Sequence, residues 1–230
     1  MRTTFRFAVL FALLPTVSAC ADKLTPADDG ADQDASVEER DDDDAVDSDI
    51  PKRSGKFRNS PKRDGSVVTI ADASVEEEWQ QFDFDTGKSA DGERDWDLAF
   101  SRFRIRTNGG VSGPGGVYVA ELVARAFDDV TQAPEEGFAA DREDTDEDTD
   151  SDPDNAFNSG DADWYSYNVM THELSPKDIT YVIASSEARF YKFRIEEYYD
   201  DAGTPAIMQF RWAEIEAPAS GWPPFSTSAE

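Results

Sequence analysis

The 230 residues contain one imidazole, His172, and one thiol, Cys20. A lone cysteine excludes disulfide scaffolds, zinc fingers, thioredoxin-like pairs and Cys–His nucleophiles. A lone histidine excludes any site that needs two imidazoles. It also leaves no Ser–His–Asp order to argue from, and the 50 acidic side chains are too many for any carboxylate pair to be informative. These residues point to a binding protein, not an enzyme. Met170 lies two positions before His172 and adds a thioether; in an extended loop both side chains would face one side. Arg102, Arg104 and Arg106 share one strand parity and form a row of cations, or a solvated face. Asp144, Asp146, Asp148 and Asp150 begin a repeat of alternate aspartates that would collect calcium loosely, or form a polar loop insertion.

Cys20 has a context of its own. Arg2 and Arg6 precede an apolar core from Phe7 to Leu14, too short to cross a bilayer of roughly 30 Å. Val17-Ser18-Ala19-Cys20 then resembles a bacterial lipobox, in which the cysteine is acylated and becomes the mature N-terminus. The alternative is an ordinary secretory peptide cut after Ala19. Residues 1–19 are therefore expected to be a signal peptide, with Cys20 carrying the lipid that anchors the chain to a membrane. Ala21 stands where an aspartate typically marks inner-membrane retention, so the outer membrane, at the cell surface, is the expected destination.

The charge balance is 22 basic against 50 acidic residues, a net charge of −28. Such a surface repels phosphate and excludes a nucleic-acid partner that relies on a basic face. Residues 27–50 hold 12 acidic side chains and one arginine, too polar to fold, and read as a disordered, extended stalk. Residues 51–65 reverse the sign, with six basic residues and one Asp, so 20–65 as a whole reads as a tether. The acidic stretch Asp141–Asp154 lies within a loop insertion over 141–163 that is also expected to be unfolded.

The positioning elements read as β. Residues 66–70 open with a β-rich run. Trp96, Leu98 and Phe100 share one parity and Phe103 and Ile105 the other, which suggests a bulge near Ser101–Arg102. Residues 108–116 are glycine-rich and read as a flexible loop. Val119, Leu122, Val123, Ala126, Phe127 and Val130 fall on a helical stripe. Alternation over 179–183, 191–195 and 208–212, broken by short turns, gives a three-stranded antiparallel meander. The expected fold is all-β: one domain over 66–216 built from antiparallel sheets, with the disordered acidic stalk before it and a loose tail over 217–230.

Several segments together resemble the HmuY-like haem-binding lipoproteins. They are Trp79-Gln80-Gln81-Phe82-Asp83-Phe84-Asp85-Thr86-Gly87, Asp95-Trp96-Asp97-Leu98-Ala99-Phe100-Ser101-Arg102, and Arg106-Thr107-Asn108-Gly109-Gly110. Further on come Phe127-Asp128-Asp129-Val130, Gly137-Phe138, Trp164-Tyr165-Ser166-Tyr167, Tyr181-Val182-Ile183, Tyr191-Lys192-Phe193 and Phe210-Arg211. The resemblance implies an all-β fold, a surface-exposed outer-membrane lipoprotein and capture of haem for iron acquisition. Its implied partners are a haem-carrying protein and an outer-membrane haem receptor. It also implies strand rather than helix over 117–124, with a short helical turn at Phe127–Val130.

The same family holds haem iron between two His or Met side chains from separate loops. Here the first of those loops is the acidic insertion, which has neither residue. The second holds Met170-Thr171-His172, so His172 is the main axial candidate and Met170 the alternative. Tyr165 and Tyr167 would supply porphyrin-contacting walls, and Arg102 and Arg104 would meet the propionates. The competing reading is a surface lipoprotein on the same scaffold that binds another ligand or a partner protein, with calcium on the acidic loop.

Overall fold

A computed structural model describes residues 56–76, 78–145, 152–158 and 163–221. The signal peptide, Cys20, the acidic stalk, Asp146, Asp148 and Asp150 lie outside the described residues.

The described chain is almost entirely β. Seven strands make the larger sheet: β1 (Phe57–Pro61), β2 (Val67–Asp72), β7 (Tyr118–Val123), β8 (Phe138–Ala139), β11 (Ile179–Ala184), β12 (Phe190–Tyr199) and β13 (Pro205–Ile215). Their spatial order is β1-β2-β13-β12-β11-β7-β8, every pair antiparallel. A four-stranded sheet, ordered β4-β3-β5-β6, comprises β3 (Gln80–Asp83), β4 (Lys88–Ser89), β5 (Leu98–Ser101) and β6 (Arg104–Thr107). A separate hairpin pairs β9 (Tyr165–Asn168) with β10 (Glu173–Pro176).

Alternation explains the packing. Tyr181, Phe193, Phe210 and Trp212 of the larger sheet meet Phe82, Leu98 and Phe100 of the smaller one in a single aromatic core. Phe100 stacks on Phe210 at 5.3 Å, and Phe82 meets Phe210 edge-on at 5.5 Å. Val182 and Ala184 of β11 point the other way, into a second cluster with Phe138 and Phe190. Strand β11 is buried on both faces and so is apolar along its length except at Thr180. The meander pairs as its alternation requires.

Four expectations need correction. The parity change at Ser101–Arg102 is a hairpin turn, not a bulge: Ser101 pairs with Arg104, and Arg102-Phe103 form the two-residue loop between β5 and β6. A chain that reverses direction changes parity just as a slipped one does. The sheet begins at Phe57, inside the basic part of the expected tether, because Phe57 packs against Phe82 at 4.8 Å and offsets the ordering of a charged segment. The glycine-rich segment after β6 is tied, not flexible. The Asn108 side chain is fully buried; it donates to the Glu93 and Trp96 carbonyls and accepts from the Gly115 amide. A Cβ at Gly110 (φ +58) would overlap the Asp141 carbonyl oxygen, which is why that turn needs glycine.

The fourth concerns the described ends of the inner acidic stretch and the first residues of the tail; residues 146–151, 159–162 and 222–230 lie outside the described residues. Asp141 is buried and accepts from the Thr107 amide, from the Thr107 hydroxyl at 2.6 Å and from the Ser112 hydroxyl. The Arg142 amide donates to the Asp154 carbonyl at 2.9 Å, and the Asn155 side chain donates to the Ile105 carbonyl. The insertion is thus fastened at both roots. In the tail, the Ala219 and Ser220 amides donate to the Glu135 carboxylate, and the Gln132 side chain donates to the Ala217 carbonyl. The helical stripe over 117–130 is strand β7 followed by a 3-10 turn at Phe127–Asp129. Pairing with β11 on one side and with β8 on the other overrides that local periodicity.

Candidate functional site

Three features converge on one end of the molecule: the β5–β6 turn, the β9–β10 hairpin and the end of the meander. The hairpin's root is fixed by Trp164, which is buried and donates its indole N–H to the Phe103 carbonyl at 2.8 Å. That bond also sets the β5–β6 turn. The Leu174 amide donates to the Tyr199 hydroxyl at 3.0 Å, which ties β10 to β12. The register of β12 against β13 shifts between Ile195 and Glu197 and again before Tyr199. A regular strand would send Tyr198 and Tyr199 to opposite faces, but the irregularity brings both to the same hollow.

The hollow encloses about 550 Å³ and has Tyr165, Tyr167, Tyr198, Tyr199, Phe103 and Leu174 among its walls. The rings run in contact: Phe103 to Tyr165 at 5.9 Å, Tyr165 to Trp164 at 5.1 Å, Trp164 to Tyr198 at 5.8 Å and Tyr198 to Tyr199 at 4.9 Å. Burial raises the Tyr198 phenol above its usual pKa, so it stays neutral at physiological pH. The polar side chains in this wall include Arg102, Asp163 and His172. The volume lies within the range of small-molecule and cofactor sites, and an apolar wall with a few polar groups is the composition such sites have.

His172 is exposed to solvent but held. Its amide donates to the Asn168 carbonyl at 2.7 Å, and its Nδ1 is hydrogen-bonded to the Tyr167 hydroxyl. With Nδ1 engaged, Nε2 is the nitrogen left to a ligand. Two wall residues also hold unusual backbone conformations: Arg102 has φ 55 and His172 has φ 60. Both are in the left-handed region, which for arginine at the first position of a hairpin turn displaces the glycine usually preferred there. Strain of this kind persists where the surroundings over-determine it, and it gathers at binding sites.

The structure brings together His172, Tyr165, Tyr167 and Arg102 of the expected set. It does not bring Met170 with them. The loop is a tight turn, not an extended segment, because the Asn168 side chain accepts from the Met170 and Thr171 amides. Met170 is left 85% exposed, outside the wall. Arg104 faces elsewhere as well. It lies 5.4 Å from the Trp79 ring and pairs with Asp152 at 3.4 Å, while Arg106 stacks on Trp79 at 4.1 Å. Phe103, Leu174, Tyr198 and Tyr199 are wall residues that sequence reasoning missed. A signal for the two tyrosines exists: alternation through Tyr191, Phe193 and Ile195 breaks before Tyr198.

Two other hollows differ in kind. One of about 660 Å³ is rimmed by Glu197, Asp200 and Asp201; another of about 520 Å³ lies by Phe127, Lys192 and Arg211, where both cations already sit over the Phe127 ring. Among the described residues, no helix is long and apolar enough to cross a membrane.

The HmuY family model matches residues 75–212. No curated protein sequence matches the chain. Among solved structures, a Bacteroides vulgatus protein described as HmuY-like and haem-binding superposes with a TM-score of 0.53 at 17% identity, covering 69% of this chain and 97% of that one. A Bacteroides fragilis protein described as a lipoprotein superposes with a TM-score of 0.52 at 20% identity, covering 69% of this chain and 94% of the other. At these identities the likeness establishes the shared fold.

Proposed function

The chain belongs to the HmuY family, and from that premise we propose that it is a lipid-anchored haem-binding protein that captures haem for iron acquisition in the hollow beside His172. The observation that carries this reading is the pairing of the chain's single imidazole with an aromatic hollow of about 550 Å³. The residues fit the group. Haem needs apolar walls for the porphyrin, a nitrogen donor for iron and a cation for a propionate. Tyr165, Tyr198 and Tyr199 supply the walls, His172 Nε2 the donor and Arg102 the cation.

The bond from Tyr167 to Nδ1 has a defined role. When Nδ1–H donates to the phenol oxygen, Nε2 carries the bare lone pair that a metal requires. Haem, when bound, would supply an iron centre able to take a nitrogen donor; everything else here is orientation by the chain. The Asn168 cap fixes the turn, the turn fixes His172, and Trp164 fixes the opposite wall through Phe103. Anchoring through an acylated Cys20, exposure on the outer-membrane surface, and delivery to an outer-membrane haem receptor complete the proposal.

The test is a hemin titration of the purified protein followed at the Soret band. The expected result is a sharpened, shifted band that saturates near one equivalent and weakens in His172→Ala. A spectrum equal to that of free hemin defeats the proposal. A second reading rests on Met170 standing outside the hollow: a flat ligand without iron, held by the aromatic walls alone. Its mark is binding of metal-free protoporphyrin as tight as that of hemin, unchanged in His172→Ala.

A further inference from the structure

Outside the lining of the His172 hollow, three carboxylates gather where the smaller sheet meets the turn before β12. Asp83, Asp85 and Asp97 present oxygens that all lie within 4.8 Å of one another. They are not a solvated acidic surface. Asp97 is fully buried, Asp83 is 8% exposed and the Asp85 side chain is 2% exposed. Their hydrogen bonds place them but do not neutralise them. Asp97 accepts from the Phe84 and Ser186 amides, and Asp83 accepts from the Asp85 amide and the Thr86 hydroxyl. Asp85 accepts through Oδ1 alone, from the Tyr191 hydroxyl at 2.9 Å and from Arg189 at 3.3 Å. Its Oδ2 is buried and accepts no hydrogen bond from the described residues.

One cation is not enough for this group. Arg189 is 41% exposed and gives its Nε and a second nitrogen to Glu214, leaving one long contact for Asp85. Three buried carboxylates therefore share a fraction of one positive charge. Burial of uncompensated charge is expensive, and proteins relieve it by pairing, by metal binding or by taking up a proton.

We propose that Asp83, Asp85 and Asp97 form a binding site for one hard divalent cation, with the free Oδ2 of Asp85 as a direct ligand. The donor set decides the class. Carboxylate oxygens with neither imidazole nor thiolate suit calcium or magnesium, not zinc or copper. Calcium fits best, because it accepts an irregular oxygen shell and needs fewer retained waters in a buried site. The site clamps the end of β3 to β5 and to the Ser185–Ser186 turn that leads into β12. Binding is thus a device for stability. It is independent of the haem reading.

The test uses the full chain stripped with EDTA, titrated calorimetrically with calcium chloride and, separately, magnesium chloride, with thermal melts in parallel. The expected result is one saturable high-affinity event that raises Tm. In Asp85→Asn, which keeps an acceptor for Tyr191, affinity should fall at least tenfold while the chain still melts cooperatively. Its Tm without metal should be no lower than that of stripped wild type, since a repelling charge is gone. If Asp85→Asn fails to fold, Asp83→Asn takes its place. No saturable binding of either metal to the folded chain overturns the proposal. So does affinity unchanged in both variants, or affinity lost instead in a chain carrying Asp146→Asn, Asp148→Asn and Asp150→Asn.

Discussion

The His172 hollow and the node around Asn108 and Asp141 are built on opposite terms. In the node, buried side chains spend their polar atoms on main-chain and hydroxyl partners. Asn108 fixes three main-chain groups, and Asp141 fixes Thr107 and Ser112. In the hollow, two turn residues hold left-handed conformations, and Tyr167 and His172 are exposed. The first arrangement is optimised for stability; the second keeps surface and donors free for something else. Residues that look most like motif in the sequence belong to the first, while residues able to grip a ligand belong to the second.

Substitutions can break or sharpen that contrast. The largest effect should come from Asn108→Ala, which strands the buried Trp96 carbonyl and unpairs the partly buried Glu93 carbonyl and Gly115 amide; it should cost about 3 kcal/mol, since each unsatisfied buried group costs roughly 1–3 kcal/mol. Urea unfolding measures it, and a loss below about 1 kcal/mol would erase the contrast. His172→Ala should do the reverse. Hemin affinity should fall at least tenfold while the urea midpoint stays unchanged, because an exposed turn residue contributes little to stability.

Arg102→Gly should sharpen the comparison. Relief of the left-handed arginine should raise stability by about 1 kcal/mol, and loss of the guanidinium should weaken hemin binding several-fold. A variant that loses stability would show that Arg102 is a structural residue. The smallest effect should come from Met170→Ala. At 85% exposure, and outside the wall, it should change neither the urea midpoint nor the Soret titration. A drop in hemin affinity there would return Met170 to the site.

The contrast also explains what was legible in the sequence. Strands whose two faces differ declare themselves by alternation, and the meander was read from Tyr191, Phe193 and Ile195 without difficulty. Strand β7 was not, because it is an inner strand of the sheet with apolar contacts on both sides, so its apolar residues fit a helical stripe equally well. His172 stood out because it is the only imidazole. Its neighbours did not, because their presence in the hollow depends on long-range events: the irregular register of β12, the Trp164 bond to Phe103, and a turn that changes parity like a bulge. The Asp83, Asp85 and Asp97 cluster was hidden for a related reason. Its members are the last residue of β3, a residue of the turn after it and the residue just before β5, and the pairing of β3 with β5 brings them together.

A chain with one histidine allows an unusually direct test of the central claim. Selective nitrogen-15 labelling of histidine gives a single imidazole signal pair, that of His172, in the NMR spectrum of the folded protein. On addition of one equivalent of hemin, the Nε2 signal should be lost or displaced far from its free position while the fold's other resonances persist. An imidazole signal that stays in place at saturating hemin would contradict ligation by His172 and the account built on it.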